Sequence, residues 1–373
     1  MIITSSNIRR NNTTLFIVFI RFSDYGAKLH HRHTVCNTQK GMFAIALPIL
    51  ERNSSESSNF ALILSETKIM KMSLLRQRLK PWMLPIAMVA GMVFHDFMGR
   101  IEFIAPYLIF VMLFITFCRV RPSEFRVTSL SWGLLSVQII GAIALYLLLL
   151  PLGRDLAQGT FICVFCPTAT AAPVITGMLG GRVPRLATFS IVSNITVAIL
   201  APILFTLMGT EADLTFTESL ATISIKVMPL ILLPLLLAFL LLKVAPKVHH
   251  AVADRQAISF YIWAVSLFIV VGRAVSFIMD EPAEAVPEMI LLALLSGVVC
   301  CAQFWIGRKI GSRCGDKIAG AQGLGQKNTV LAIWMALTYL HPISSVAPAA
   351  YVAWQNTINS AQLYFKAQRD AKG

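Results

Sequence analysis

One lysine stands out in a chain that is short of charge. Lys327 lies in the run Gly320-Ala321-Gln322-Gly323-Leu324-Gly325-Gln326-Lys327-Asn328-Thr329, with apolar stretches on both sides. A lysine at the centre of a bilayer costs roughly 2.5–3.5 kcal/mol, so an intramembrane lysine is a functional candidate by default. Its neighbours Gln326 and Asn328 carry amides that both donate and accept hydrogen bonds. As a tethered cation, Lys327 could take the place of a bound metal ion, attract an anionic substrate or carry a proton. A second run, Cys166-Pro167-Thr168-Ala169-Thr170-Ala171-Ala172-Pro173, offers a thiol and two hydroxyls beside two prolines. Catalysis would need a nucleophile with a base, or paired acid and base groups. The interiors of the apolar segments hold no His, Asp or Glu, so binding is expected and enzymatic chemistry is not.

The elements that must position these residues follow from composition. Of 373 residues, 56% are hydrophobic and 13% charged, against about 25% charged in a soluble chain. This excludes a soluble enzyme, a disordered protein and a nucleic-acid binder, and implies a polytopic α-helical membrane protein. Apolar segments of spanning length read as 81–96, 102–119, 127–151, 158–179, 185–208, 219–242, 256–279, 287–307, 316–339 and 342–365. Residues 1–69 differ: they are polar, with short apolar runs only, and read as a disordered extension or a start placed too far upstream.

The net charge of +14 sorts by side. One set of connections holds Arg76, Arg78 and Lys80; Arg119, Arg121 and Arg126; Arg182 and Arg185; Lys243, Lys247 and Arg255; Arg308, Lys309, Arg313 and Lys317; and Lys366, Arg369 and Lys372. The alternate set holds Arg100 and Arg154 among many acids, including Asp96, Glu102, Asp155, Glu211, Asp213, Asp280, Glu284 and Glu288. Lys and Arg accumulate on the cytoplasmic side, so both termini are expected there, in a multi-pass protein of a bacterial inner membrane. The basic excess then reports orientation in the bilayer rather than a ligand.

Ten spans divide into five (75–208) and five (219–365), followed by a tail, 366–373. Five is odd, so the second half enters the bilayer inverted relative to the first, as in secondary transporters. The fourth span of each half, 158–179 and 316–339, carries the two unusual runs. Proline removes a helix donor and glycine weakens helix. Interrupted helices at matching positions mark a transporter binding site, and irregular backbone at that depth must face protein or a wet cavity.

These runs resemble those of the bile acid:sodium symporter family. The likeness rests on Cys166-Pro167 with Thr170-Ala171 and Gly180-Gly181, on Leu200-Ala201-Pro202, on Gly325 with Asn328 and Leu331-Ala332, and on Trp354-Gln355-Asn356. It covers about residues 75–365. It implies ten helices in two inverted five-helix repeats, with broken fourth and ninth helices that cross. The auxin-efflux and arsenite-efflux carriers share that fold. Apart from the resemblance, the polar residues at the predicted breaks, Thr168, Thr170, Gln322, Gln326, Lys327 and Asn328, with Asn194 at the same depth in the fifth span, are expected to contact the substrate.

The sodium sites depart from the family. Where it has Ser-Asn, this chain has Ala172 and Pro173; where it has a Glu and a Gln, this chain has Gly323 and Lys327. Gln138 and Ser190 remain as possible ion-site side chains. Hard cations require several oxygen ligands, so sodium is not expected and no other cofactor is implied. The expected function is secondary transport of a small organic anion across a lipid bilayer, sodium-independent or proton-coupled. The alternatives are an arsenite-type efflux carrier, for which Cys166 is the suggestive residue, and a non-transporting receptor or scaffold. Lys226 and Arg273, nearer the ends of their spans, can snorkel or line an anion path. No acid within the spans is evident to pair them, and His249 and His250 read as solvated.

Overall fold

The computed structural model describes residues 83, 86–120, 125–208 and 215–372. The N-terminal segment 1–69 and the charges at Arg76, Arg78, Lys80, Arg121, Glu211 and Asp213 lie outside the described residues. In chain order the helices are α1 (His95–Ile101), α2 (Ala105–Cys118), α3 (Ser129–Leu149), α4 (Arg154–Phe165), α5 (Ala172–Leu179), α6 (Val183–Met208), α7 (Phe216–Val244), α8 (Pro246–Ala253), α9 (Gln256–Asp280), α10 (Val286–Arg313), α11 (Lys317–Gly325), α12 (Thr329–Tyr339) and α13 (Val346–Lys372). Residues 86–93 form a further helix before a turn at Phe94. Gln77–Tyr364 form one compact unit. The described part of the other is the end of α13, where Lys366 Nζ donates to Asp370 Oδ2 at 2.7 Å.

Among the described residues, six stretches are long and apolar enough to cross a membrane: His95–Cys118, Ser129–Leu152, Val183–Met208, Phe216–Val244, Tyr261–Asp280 and Ala283–Arg313. Their outer faces are apolar: Leu148 is 71% exposed, Ile225 73% and Val298 66%. So broad an apolar surface would drive aggregation in water, and hydrocarbon is its natural solvent. The chain is therefore an all-α, multi-pass membrane protein.

Several helices outrun their apolar windows. α10 continues to Arg313 and α13 to Lys372, and the basic connection after α7 folds as α8. Lys, Arg and Gln are good helix formers, so hydrophobicity ends before the helix does. In α8, His249 is buried rather than solvated, and its ring meets that of His250 edge-on at 5.6 Å. Burial, with the neighbouring His250, holds its imidazole below the usual histidine range.

Two apolar helices are interrupted where the proline and glycine runs predict it. α4 stops at Phe165; Cys166, which precedes proline, is extended with ψ 145°, the backbone state a following proline favours. The chain resumes as α5 with Pro173 in its first turn, where no amide donor is needed. α11 ends at Gly325 and Gln326 is extended. The glycines here serve close approach: a Cβ on Gly320 would lie 2.2 Å from the Gly307 carbonyl oxygen, so the α10 and α11 backbones touch. After α5, Gly180 adopts φ 87° and reverses the chain into α6, with Gly181 N–H donating to Thr176 O at 2.8 Å.

The starts of the interrupted helices are tied in a reciprocal way. Asp316 caps α11, its Oδ1 accepting from Ala319 N–H at 2.9 Å, while its Oδ2 accepts from Arg182 N–H at 2.9 Å. Arg182 lies just after α5. In the first turn of α4, Asp155 Oδ2 lies 3.2 Å from His341 Nδ1, and Gln158 Oε1 accepts from His341 N–H at 3.0 Å. His341 lies just after α12. Each interrupted helix thus holds, at its start, the chain that follows the other.

Candidate functional site

The two interruptions meet. Thr168 and Lys327 form an isolated antiparallel bridge, in which Ala169 N–H donates to Gln326 O at 3.0 Å and Asn328 N–H to Pro167 O at 2.8 Å. A helix end leaves four carbonyls open, and in a dry interior each needs a partner. At the end of α4 every one is met. Ile162 O accepts from Cys166 N–H at 3.0 Å and Cys163 O from Gln303 Nε2 at 3.1 Å. Val164 O accepts from Lys327 Nζ at 2.7 Å and Phe165 O from Gln138 Nε2 at 2.7 Å. Side chains also serve the end of α11, where Gly323 O accepts from Thr168 Oγ1 and Gly325 O from Tyr351 Oη, both at 2.8 Å. Breaks that would each be costly alone therefore complete one another.

Lys327 is 1% exposed. Its backbone N–H donates to Gln355 Oε1 at 2.9 Å, and its ammonium lies at the negative end of the α4 dipole, where a cation is favoured. Among the described residues no carboxylate is within ion-pairing distance of it. Asn328 caps α12, its Oδ1 accepting from Leu331 N–H at 3.3 Å. The Asn328 Nδ2, the Thr329 Oγ1 and the Asn194 Oδ1 are buried without a hydrogen-bond partner. An amide chain runs outward, Gln326 Nε2 donating to Gln322 Oε1 and Gln322 Nε2 to Gln362 Oε1 at 2.8 Å.

On the α5 and α6 side lies a cavity of about 70 Å³, lined by Arg119, Thr170, Pro173, Thr188 and Ser190 among others. Arg119 is exposed at the end of α2, and Thr170 stands at the helix break. The α4 and α12 side is filled instead by stacked aromatics, Phe161 on Phe165 at 5.0 Å and Phe205 on Tyr339 at 5.7 Å.

Of the residues singled out in the sequence, Thr168, Gln326, Lys327 and Asn328 come together at the crossing, and Thr170, Pro173 and Ser190 at the cavity. Ala172 begins α5, and Gly323 is enclosed by Leu134, Leu186 and Phe189. Asn194 Nδ2 donates to Ser190 O at 2.7 Å on its own helix. Gln303, Tyr351, Gln355 and Arg119 complete the site. The sequence marks Gln355 only within Trp354-Gln355-Asn356 and Arg119 only as a charge in a connection, and it gives the role of none of the four, because their partners lie on other helices. Arg273 is paired after all: its Nε meets Glu102 Oε2, and its guanidinium lies 4.1 Å from the Phe277 ring centre. Lys226 is exposed.

The positions that the resemblance assigns to sodium do not fit it. Ala172, Pro173 and Gly323 supply no side-chain oxygen, and Lys327 places an ammonium there. Both ends of Gln138 are engaged, since its Oε1 accepts from Ser193 Oγ at 2.8 Å. The chain matches no protein-family model and no curated protein, so the likeness to the bile acid:sodium symporters rests on these residues alone.

Proposed function

We propose that the chain is a secondary carrier of a small organic anion that works by alternating access. The observation that carries this reading is the meeting of two interrupted apolar helices, paired backbone to backbone at Thr168 and Lys327 beside a cavity. Irregular backbone of this kind belongs where it lines a path. The reciprocal ties of Asp316 to Arg182 and of Asp155 to His341 support a ten-span arrangement in two inverted five-helix halves. The positive-inside pattern supports cytoplasmic termini in an inner membrane.

The charge of the path favours an anion. Arg119 stands at the cavity, the first turn of α5 turns its positive end toward Thr170, and the Asn328 amide has a donor to offer. Sodium is not the coupling ion in this reading, and transport is uncoupled or driven by a proton gradient. An arsenite-type carrier has less support, because the Cys166 thiol is turned to the Asn328 carbonyl at 3.1 Å.

Uptake of labelled carboxylates and sulfonates into proteoliposomes tests the reading, in sodium and in choline buffers. The expected result is saturable uptake of at least one anion in both buffers. Arg119→Gln should raise KM about tenfold with kcat little changed, the loss of roughly 1.4 kcal/mol of anion attraction. Absence of uptake for every anion would leave a receptor or scaffold, and strict sodium dependence would overturn the coupling.

A further inference from the structure

The last turn of α4 has four carbonyls to satisfy. Three are met by neutral donors: the Cys166 amide, Gln303 and Gln138. The fourth, Val164 O, is met by a charged one, Lys327 Nζ at 2.7 Å. An ammonium on a carbonyl at a helix C-terminus occupies the position and supplies the charge of a bound monovalent cation. Its stem arrives from the other interrupted helix, so it also links α4 to the stretch between α11 and α12. Ala172, Pro173 and Gly323 bring no side-chain oxygen, so a free cation here would rest on backbone carbonyls and water, in the space that the lysine now fills.

We propose that Lys327 is a built-in cation at the helix crossing, which frees the fold from any requirement for sodium or potassium. Removing its side chain uncovers a site for a free monovalent cation at the Val164 carbonyl. This rests on the carrier reading only for its consequence in transport, namely that no cation accompanies the anion. Its structural part stands without that reading.

The test is the thermal stability of the purified full-length protein in detergent, at constant ionic strength, with sodium or potassium replacing choline. The wild type is expected to be flat. Lys327→Ala empties the position and should be less stable in choline, recovering with sodium or potassium along a saturating curve. Mass action sets the size of recovery, a shift of about 2 °C or more once the cation exceeds tenfold its Kd. Lys327→Met fills the space without charge and should lose stability with no recovery.

A wild type stabilised by sodium over choline would overturn the proposal. So would an alanine variant indifferent to the cation, one unfolded in every buffer, or a methionine variant as stable as the wild type. An alanine variant that folds only in sodium or potassium supports it in the strongest form. None of these readings uses a substrate, so failure to find a transported anion would sink the carrier reading and leave this one standing.

Discussion

Gln138 is the residue on which the crossing can best be weighed in solution. It is 1% exposed and works at both ends: its Nε2 donates to Phe165 O at 2.7 Å, with Cys166 O at 3.3 Å, and its Oε1 accepts from Ser193 Oγ at 2.8 Å. Phe165 is 0% exposed and so is Ser193, so neither orphaned group can turn to water. Gln138→Leu keeps the volume and abandons both partners. A buried polar group left unsatisfied costs about 1–3 kcal/mol, so two give about 2–6 kcal/mol. Leucine's better fit in an apolar interior returns part of that, and the net expectation is about 2–4 kcal/mol. Ser193→Ala removes one partner and leaves the Phe165 bond intact, so it should cost about 1 kcal/mol. The pair is read by equilibrium unfolding in mixed detergent, with the wild type measured alongside. A Gln138→Leu protein within about 0.5 kcal/mol of wild type would refute the claim that side-chain caps hold the crossing, because surface substitutions fall in that range. A Ser193→Ala loss as large as that of Gln138→Leu would refute the division between the two partners.

Two further expectations follow from packing and charge. Gly320→Ala sets a Cβ 2.2 Å from the backbone oxygen of Gly307, which cannot move aside as a side chain could; it should abolish folding or cost more than about 4 kcal/mol. Gly141→Ala, whose nearest neighbour would be the Val137 side chain at 3.7 Å, should fold normally, and size-exclusion profiles of the two variants check both. His249 titrates below the ordinary histidine range, so the native state binds fewer protons than the unfolded chain as pH falls. Its contribution is whole above the unfolded pKa of about 6.5 and is lost as pH falls through the folded value. Melting curves between about pH 8 and pH 5 should show a loss that His249→Phe reduces.

The sequence marks the interruptions by residue type alone, since Pro167, Pro173 and the glycines of 320–325 act on their own backbone. It marks Lys327 by the mismatch between its charge and its surroundings. The partners are another matter. Gln303 and Tyr351 are ordinary polar residues on long helices until the fold carries them to the open carbonyls of the breaks, and Gln355, notable in sequence only for its place in Trp354-Gln355-Asn356, meets the Lys327 amide in the same way. The same holds for Arg273, which looked unpaired because Glu102 sits on a different element 171 positions away. Hydropathy bounds the spans and not the helices: backbone hydrogen bonding continues past the apolar windows to Arg313 and Lys372. The inward role of Gln138 was legible as a polar residue in an apolar span, but its partner, a helix end rather than an ion, was not.

The capping of α4 also bears on the order in which the chain is made. Lys327 and the Val164 carbonyl it serves are 163 residues apart, and Gln303 and Cys163 are 140 apart. When the first half leaves the ribosome, two of the four carbonyls at the end of α4 have partners that do not yet exist. Until α10 and the stretch after α11 arrive, that helix end must borrow water, lipid headgroups or an insertion factor to satisfy its backbone. The earlier part of the chain is therefore a promise of structure that only the last part of translation can keep, and truncation before Lys327 leaves the end of α4 open at Val164 rather than a smaller finished domain.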